Sequence, residues 1–142
     1  MIGFEIKRMF FDRQAVISKV DAATRRVLSR FGAFVRRSAK SSIRKRKKPA
    51  PPGQPPSSHT GLLKKFIFFG YDADRRSVVI GPTRLNQKGR GEAPPLLEYG
   101  GKATLVRRGK KKHVTYQARP YMGPAFEKEK PQLPAMWRGS VR

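Results

Sequence analysis

Two histidines are the side chains here that titrate closest to neutral pH, and neither has the company that catalysis needs. His59 sits in a Pro/Ser-rich phrase and His113 opens a basic stretch. Neither has a carboxylate close in sequence to orient it, and His59 has no second ligand at metal-binding spacing. The nine acidic residues are scattered. Glu92 falls in a polar loop, and Glu127 and Glu129 fall on a C-terminal helix, so neither a two-carboxylate site nor a divalent-metal cluster is expected. Gly89-Arg90-Gly91 lacks the strand–loop–helix context and the Lys-Ser/Thr ending of a phosphate loop. The absence of cysteine excludes disulfides and thiolate chemistry and disfavours soft-metal sites. The expectation is a protein that is not an enzyme and carries no cofactor and no metal, with only a site assembled by the fold left open.

Binding chemistry is far more prominent. Thirty-three Lys and Arg against nine Asp and Glu give a formal charge of +24 on 142 residues. Such a chain repels itself and attracts polyanions. The densest run is Arg36, Arg37, Lys40, Arg44, Lys45, Arg46, Lys47 and Lys48, with no acid among them. It reads either as a solvated, frayed helix end or as a contact to DNA phosphates or an acidic protein surface. It holds no aromatic residue to stack on bases, so a nucleic-acid contact there would be nonspecific and salt-dependent.

The elements that must position these groups fit one domain spanning 1–142. Val16, Val20, Ala23, Val27, Phe31 and Phe34 recur every three or four residues, and Ile17, Leu28, Val35, Ala39 and Ile43 widen the stripe. This predicts one helix from Asp12, its N-cap, to about Lys45, roughly 50 Å long. One small domain does not cover that length. The distal part is expected to project or to pack on a neighbour, the alternative being a bent helix folded on its own sheet. A basic helix end and a connector rich in proline (Pro49, Pro51, Pro52, Pro55, Pro56) occupy about 36–60. The connector is either a plain linker or a strap across another subunit. Thr60 is expected to cap a short helical turn, with Gly61 allowing close backbone approach and Leu62 and Leu63 turning inward.

Phe66–Tyr71 and Ser77–Gly81 read as a hairpin around Asp72–Arg76, with Pro82 ending it, and Phe66, Phe68 and Phe69 look like core residues. Residues 83–95 form a polar loop and Leu96–Tyr99 a short helix or extended stretch. Thr104–Arg107 and Lys112–Gln117 form a second, polar hairpin joined by Arg108–Lys111. Met122–Lys130 is a helix that faces Ala125 and Phe126 to the sheet, broken by Pro131 and Pro134 before Met136-Trp137. Leu133, Met136 and Trp137 either tuck onto the protein's own core or anchor a neighbour. The fold class is α+β: a long N-terminal helix and a C-terminal helix packed on a small, mainly antiparallel sheet. Met1–Phe11, interrupted by Glu5, Lys7 and Arg8, shows no signal-peptide core, and no apolar run approaches a membrane span.

Three phrases in order carry a resemblance. Thr60-Gly61-Leu62-Leu63 closes the proline-rich stretch, Glu98-Tyr99-Gly100 follows the first hairpin, and Arg119-Pro120-Tyr121 with Pro124-Ala125-Phe126 opens the last helix. In order and spacing, from about residue 12 to 137, the chain resembles the tail-completion, head–tail joining or minor tail proteins of tailed bacteriophages. Many relatives place basic residues and then Ser after Thr-Gly-x-Leu, where Phe66 stands here, and the basic tract is heavier here. The resemblance implies a structural virion protein at the head–tail junction or tail top. It would be assembled in the bacterial cytoplasm and would form a homo-oligomer, with a six-membered ring the usual arrangement. Its partners would be a neighbouring neck or connector ring and tail terminator or tube proteins, with nonspecific contact to genomic double-stranded DNA and none to membrane. It places subunit or partner interfaces at Thr60, Gly61, Leu63, Glu98, Tyr99, Gly100, Arg119, Pro120 and Tyr121, and the apolar Leu133, Met136 and Trp137 join them in the reading in which they anchor a neighbour. Two alternatives stay open: a cytoplasmic protein that binds nucleic acid nonspecifically, and an assembly factor absent from the finished particle.

Overall fold

Asp12 opens the first helix, its Oδ1 accepting the Ala15 N–H at 3.0 Å. The computed structural model describes residues 12–83 and 93–142. Met1–Phe11, the Gly89-Arg90-Gly91 phrase and Glu92 lie outside these. Helix α1 runs Arg13–Ser42, about 45 Å, and buries Ala23, Val27, Phe31, Gly32, Val35 and Ala39 along one stripe. It is the first part of the helix that stays uncovered, not the distal part. Val16 and Val20 are each 42% exposed, whereas Phe31 to Ile43 form the centre of the core. The later elements fold back over that distal half and leave the opening turns outside.

The helix ends three residues earlier than its sequence pattern predicts. Ile43 turns extended (φ −80°, ψ 110°) while its side chain stays in the core. The Arg44 carbonyl then accepts the Ser58 N–H at 3.0 Å, in a parallel bridge between Arg44 and Ser57. Arg44–Lys48 are therefore off the helix, so Arg44 and Lys48 do not stack one turn apart as like charges would on a continued helix. The proline-rich connector lies across this chain itself. Ala50 and Pro56 are buried, and the Gly53 N–H donates to the Ala118 carbonyl at 2.8 Å.

Gly61, not Thr60, is the N-cap of the short helix α2 (Leu62–Lys65), at φ +77°. A Cβ there would meet nothing within 4 Å, so the position requires glycine for its backbone and not for close approach. Ser58 Oγ accepts the Gly61 N–H at 2.9 Å, and Thr60 Oγ1 accepts from Leu62 at only 3.4 Å. Leu63 packs on the core and Leu62 faces solvent. Gly61→Val is expected to cost at least about 2 kcal/mol, because the left-handed backbone is worse for a β-branched residue, while the chain stays folded. An unchanged denaturant midpoint would show that the turn can adopt another conformation freely.

Strands β1 (Ile67–Asp72) and β2 (Ser77–Pro82) pair antiparallel from Ile67↔Pro82 to Asp72↔Ser77, with Asp72 Oδ1 accepting the Asp74 and Arg75 N–H groups at the turn. The hairpin meets α1 at Gly32, where a Cβ would come within 2.8 Å of Val78 Cγ2 and 2.9 Å of Phe69 Cδ2. None of Phe66, Phe68 and Phe69 belongs to the buried core: Phe66 and Phe69 are half-buried and Phe68 faces outward. Helix α3 is Ala93–Tyr99, so residues 93–95 are helical and not loop. Strands β3 (Gly101–Arg107) and β4 (Lys110–Tyr116) form a second hairpin around a two-residue Arg108-Gly109 turn. Among the described residues it shares no pairing with the first, giving two separate two-stranded sheets.

Helix α4 (Met122–Glu129) buries Ala125, while Phe126 stays half-exposed, edge-on to Phe31 at 5.7 Å. Helix α4 ends at Glu129, just before Pro131, as the sequence predicts, and the chain continues through Pro131 and Pro134 in new turns. Each stands among the first residues of a following turn, where a proline loses no helical hydrogen bond: a 3-10 turn at Lys130–Gln132, then α5 (Leu133–Trp137). Phe31, Val35, Ala39, Ile43, Ile67, Tyr121 and Ala125 form the core, with Leu63, Val78, Ile80, Leu97, Met122, Leu133 and Met136 packed around it. The architecture is α+β, long N-terminal helix and C-terminal helices on small antiparallel hairpins.

Candidate functional site

Two of the three phrases picked out in the sequence, Glu98-Tyr99-Gly100 and Arg119-Pro120-Tyr121, meet at one joint, whereas the hydrogen bonds described for Thr60–Leu63 stay local to that turn. Glu98, at the end of α3, reaches the N-terminus of α4. Its Oε2 accepts the N–H groups of Tyr121 (2.9 Å) and Met122 (3.0 Å), and its Oε1 accepts that of Gly123 (2.8 Å). The N-cap residue, Tyr121, supplies no side-chain cap of its own, so a carboxylate more than twenty residues upstream does so. Its negative charge also opposes the positive end of the helix dipole. Next to it the Arg119 N–H donates to the Leu97 carbonyl at 2.6 Å, and the Arg119 Nε donates to the Ala50 carbonyl at 2.8 Å. Together with the bond from Gly53 to Ala118, these ties hold the connector, α3 and the start of α4 in one arrangement. The joint positions elements, and both Glu98 oxygens and the Arg119 Nε are already engaged in it.

Tyr121 closes the joint from inside. Its side chain is 1% exposed, and its hydroxyl has no hydrogen-bond partner among the described residues. Burial, and next the Glu98 carboxylate, push its phenol up to about 12. The folded pKa lies above the unfolded one, so the stabilisation is complete below about pH 10 and is lost as pH rises from about 10 through about 12. That window amounts to roughly 2–3 kcal/mol. Tyr121→Phe keeps the ring and removes an unpaired hydroxyl. It is expected to leave stability at neutral pH unchanged or raise it by about 1 kcal/mol, and to remove this part of the alkaline loss. Urea midpoints of both proteins across that range check it, and parallel alkaline curves would contradict it.

The remaining predicted interface positions divide between core and surface. Pro120 is half-buried beside Tyr121, and Leu63, Leu133 and Met136 lie on the chain's own core. Thr60 is exposed, Tyr99 is 83% exposed and Trp137 38%. The basic tract also divides. Arg36 donates through Nε to the Ile67 carbonyl at 2.7 Å and its guanidinium lies 5.9 Å from the Phe68 ring, while Arg37 lies over Phe34 at 5.1 Å. Partial burial, with Arg36 and Lys64 nearby, holds the Lys40 ammonium below its usual range. Arg44–Lys48 face solvent.

His59 is exposed, and His113 Nδ1 lies 3.0 Å from Thr104 Oγ1 across the second hairpin. Among the described residues no group of three or more His, Asp or Glu is placed to hold a metal, and no helix is long and apolar enough to cross a membrane. One tie escaped the sequence reading: the buried Glu129 accepts from Ser38 Oγ on α1 and from Gln132 Nε2, fastening α4 to α1. No local signal announces a pair so far apart in sequence. Comparison with family models, with curated proteins and with solved structures finds no match for this chain.

Proposed function

We propose that this protein is a structural subunit of a tailed-phage neck, a tail-completion-type protein that closes with copies of itself into a ring at the head–tail junction. The observation that carries the reading is the joint. Ala50 and Gly53 of the connector, Glu98 and the Arg119–Gly123 phrase come together in space, and what they do there is fix elements. Exposed surface supports it too: the opening turns of α1 with Val16 and Val20, and the side chains of Tyr99 and Trp137, are apolar faces that a ring neighbour covers. The test is particle composition. Mass spectrometry of purified virions should find the chain, and a knockout should yield full heads and separate tails. A chain absent from virions would leave it an assembly factor.

The exposed Arg44–Lys48 run favours a second reading, a free protein that binds nucleic acid nonspecifically. Replacing those five residues by Gln is expected to leave the melting temperature within about 2 °C, because they lie beyond the helix and outside the core. Under the neck reading, infectious titre per particle falls nonetheless. Unchanged titre with full neck occupancy would make the run a solvated face.

A further inference from the structure

The second hairpin has few ties to the rest of the protein. Strands β3 and β4 hold each other from Gly101↔Tyr116 to Arg107↔Lys110, and their main neighbour is the short helix α3. Seven residues at about 3.4 Å carry the ribbon roughly 20 Å from its base. The outer half is exposed on both faces, Leu105 at 46% and Val106 at 52% included.

Its tip holds Arg107, Arg108, Lys110, Lys111 and Lys112 in six positions, with no acid anywhere from Gly101 to Gln117. Register places Arg107 directly across from Lys110, a like-charge pair that weakens the ribbon. Lys112 lies opposite Leu105 and Lys111 opposite Val106, so cations occupy both faces. No carboxylate among the described residues pairs with any of them. A lone two-stranded ribbon is marginal in water, and this one concentrates repulsion at its end.

We propose that the tip of this hairpin grips the backbone of double-stranded DNA, with the ribbon lying in a groove and its cations on the flanking phosphates. The geometry favours this polyanion over others. A two-stranded ribbon fits the major groove of B-DNA, whereas the deep, narrow groove of an RNA duplex excludes it. The tip has no aromatic side chain on which single-stranded bases could stack. Lysine, three of the five cations, is depleted from protein–protein interface cores. The contact is to phosphates and reads no sequence. The inference stands on the hairpin alone and does not depend on the neck reading.

The experiment uses the full chain and a mixed-sequence duplex of about 20 base pairs, followed by fluorescence anisotropy across about 50–300 mM KCl. Replacing the five tip cations by Gln should reduce the salt slope by about 3–5 and weaken binding at least ~10-fold near 100 mM salt. The Arg44–Lys48 replacement should change the slope by less. An unchanged slope in the tip variant, or equal losses in the two variants, would overturn the proposal. The unmutated chain gives a second reading that is free of folding effects. Duplex DNA should protect Lys110, Lys111 and Lys112 from amine acetylation, read by mass spectrometry. Equal labelling with and without DNA, or equal protection by polyglutamate at the same charge concentration, would also overturn it.

Discussion

Replacing Glu98 by Ala is expected to lower the unfolding free energy by roughly 3 kcal/mol, a large share of what a domain of this size possesses. Three backbone N–H groups at the start of α4 have this carboxylate as their acceptor, at 2.8–3.0 Å. Hydrogen bonds to a charged acceptor contribute about 1.5–3 kcal/mol each, and water recovers part of that where the joint opens to solvent. The dipole of α4 loses its counter-charge in the same step. Glu98→Gln keeps one acceptor oxygen and should lose about half as much. Chemical denaturation of the three proteins measures the series. Wild-type stability in Glu98→Ala would mean that α4 caps itself. Under the neck reading, the variant should also fail to enter particles at the growth temperature at which the isolated chain begins to unfold.

Gly100→Val should be worse, at least about 4 kcal/mol. Gly100 follows α3 at φ +74°, its N–H donating to the Leu96 carbonyl at 2.9 Å. A left-handed backbone costs a side-chain-bearing residue about 1–2 kcal/mol, and a β-branched one more. A Cβ there would also stand 2.9 Å from the Tyr116 carbonyl oxygen and 3.0 Å from the Ala118 nitrogen. Both are backbone, in the segment that leads from the second hairpin into the joint, so neither gives way without moving Arg119 and its bond to Ala50. Gly100→Ala keeps the clash and the left-handed cost, so its difference from Val isolates what the branch adds. Soluble expression and thermal melts decide it, and a Val variant melting within about 3 °C of wild type would contradict this geometry.

How much of this was legible in the sequence depends on how far apart the interacting residues lie. The apolar stripe of α1 and the first hairpin are local patterns, and both stand within a few residues of where the sequence places them. The helix end was hidden because the residues that stop it are remote: Ile43 is drawn into the core and the Arg44 carbonyl is claimed by Ser58. Pro131 and Pro134 mark the end of α4 in the sequence, but that each also stands at the start of a new turn is visible only in the fold. The joint was half-visible. Glu98-Tyr99-Gly100 and Arg119–Tyr121 stood out as phrases, but that the carboxylate of one caps the helix of the other is a long-range fact that spacing does not encode. The basic tip was in plain view as a run from Arg107 to Lys112. Its register and its isolation from the first sheet, which give it meaning, required the fold.

Electron microscopy of purified particles at side-chain resolution decides whether this chain is a subunit of the neck. A closed ring at the head–tail junction should be seen, into which this chain fits. Glu98 should be seated on the start of α4, and neighbouring copies should cover Val16, Val20, Tyr99 or Trp137. A junction whose every ring is accounted for by other proteins, with this chain absent from the particle, would contradict the neck reading.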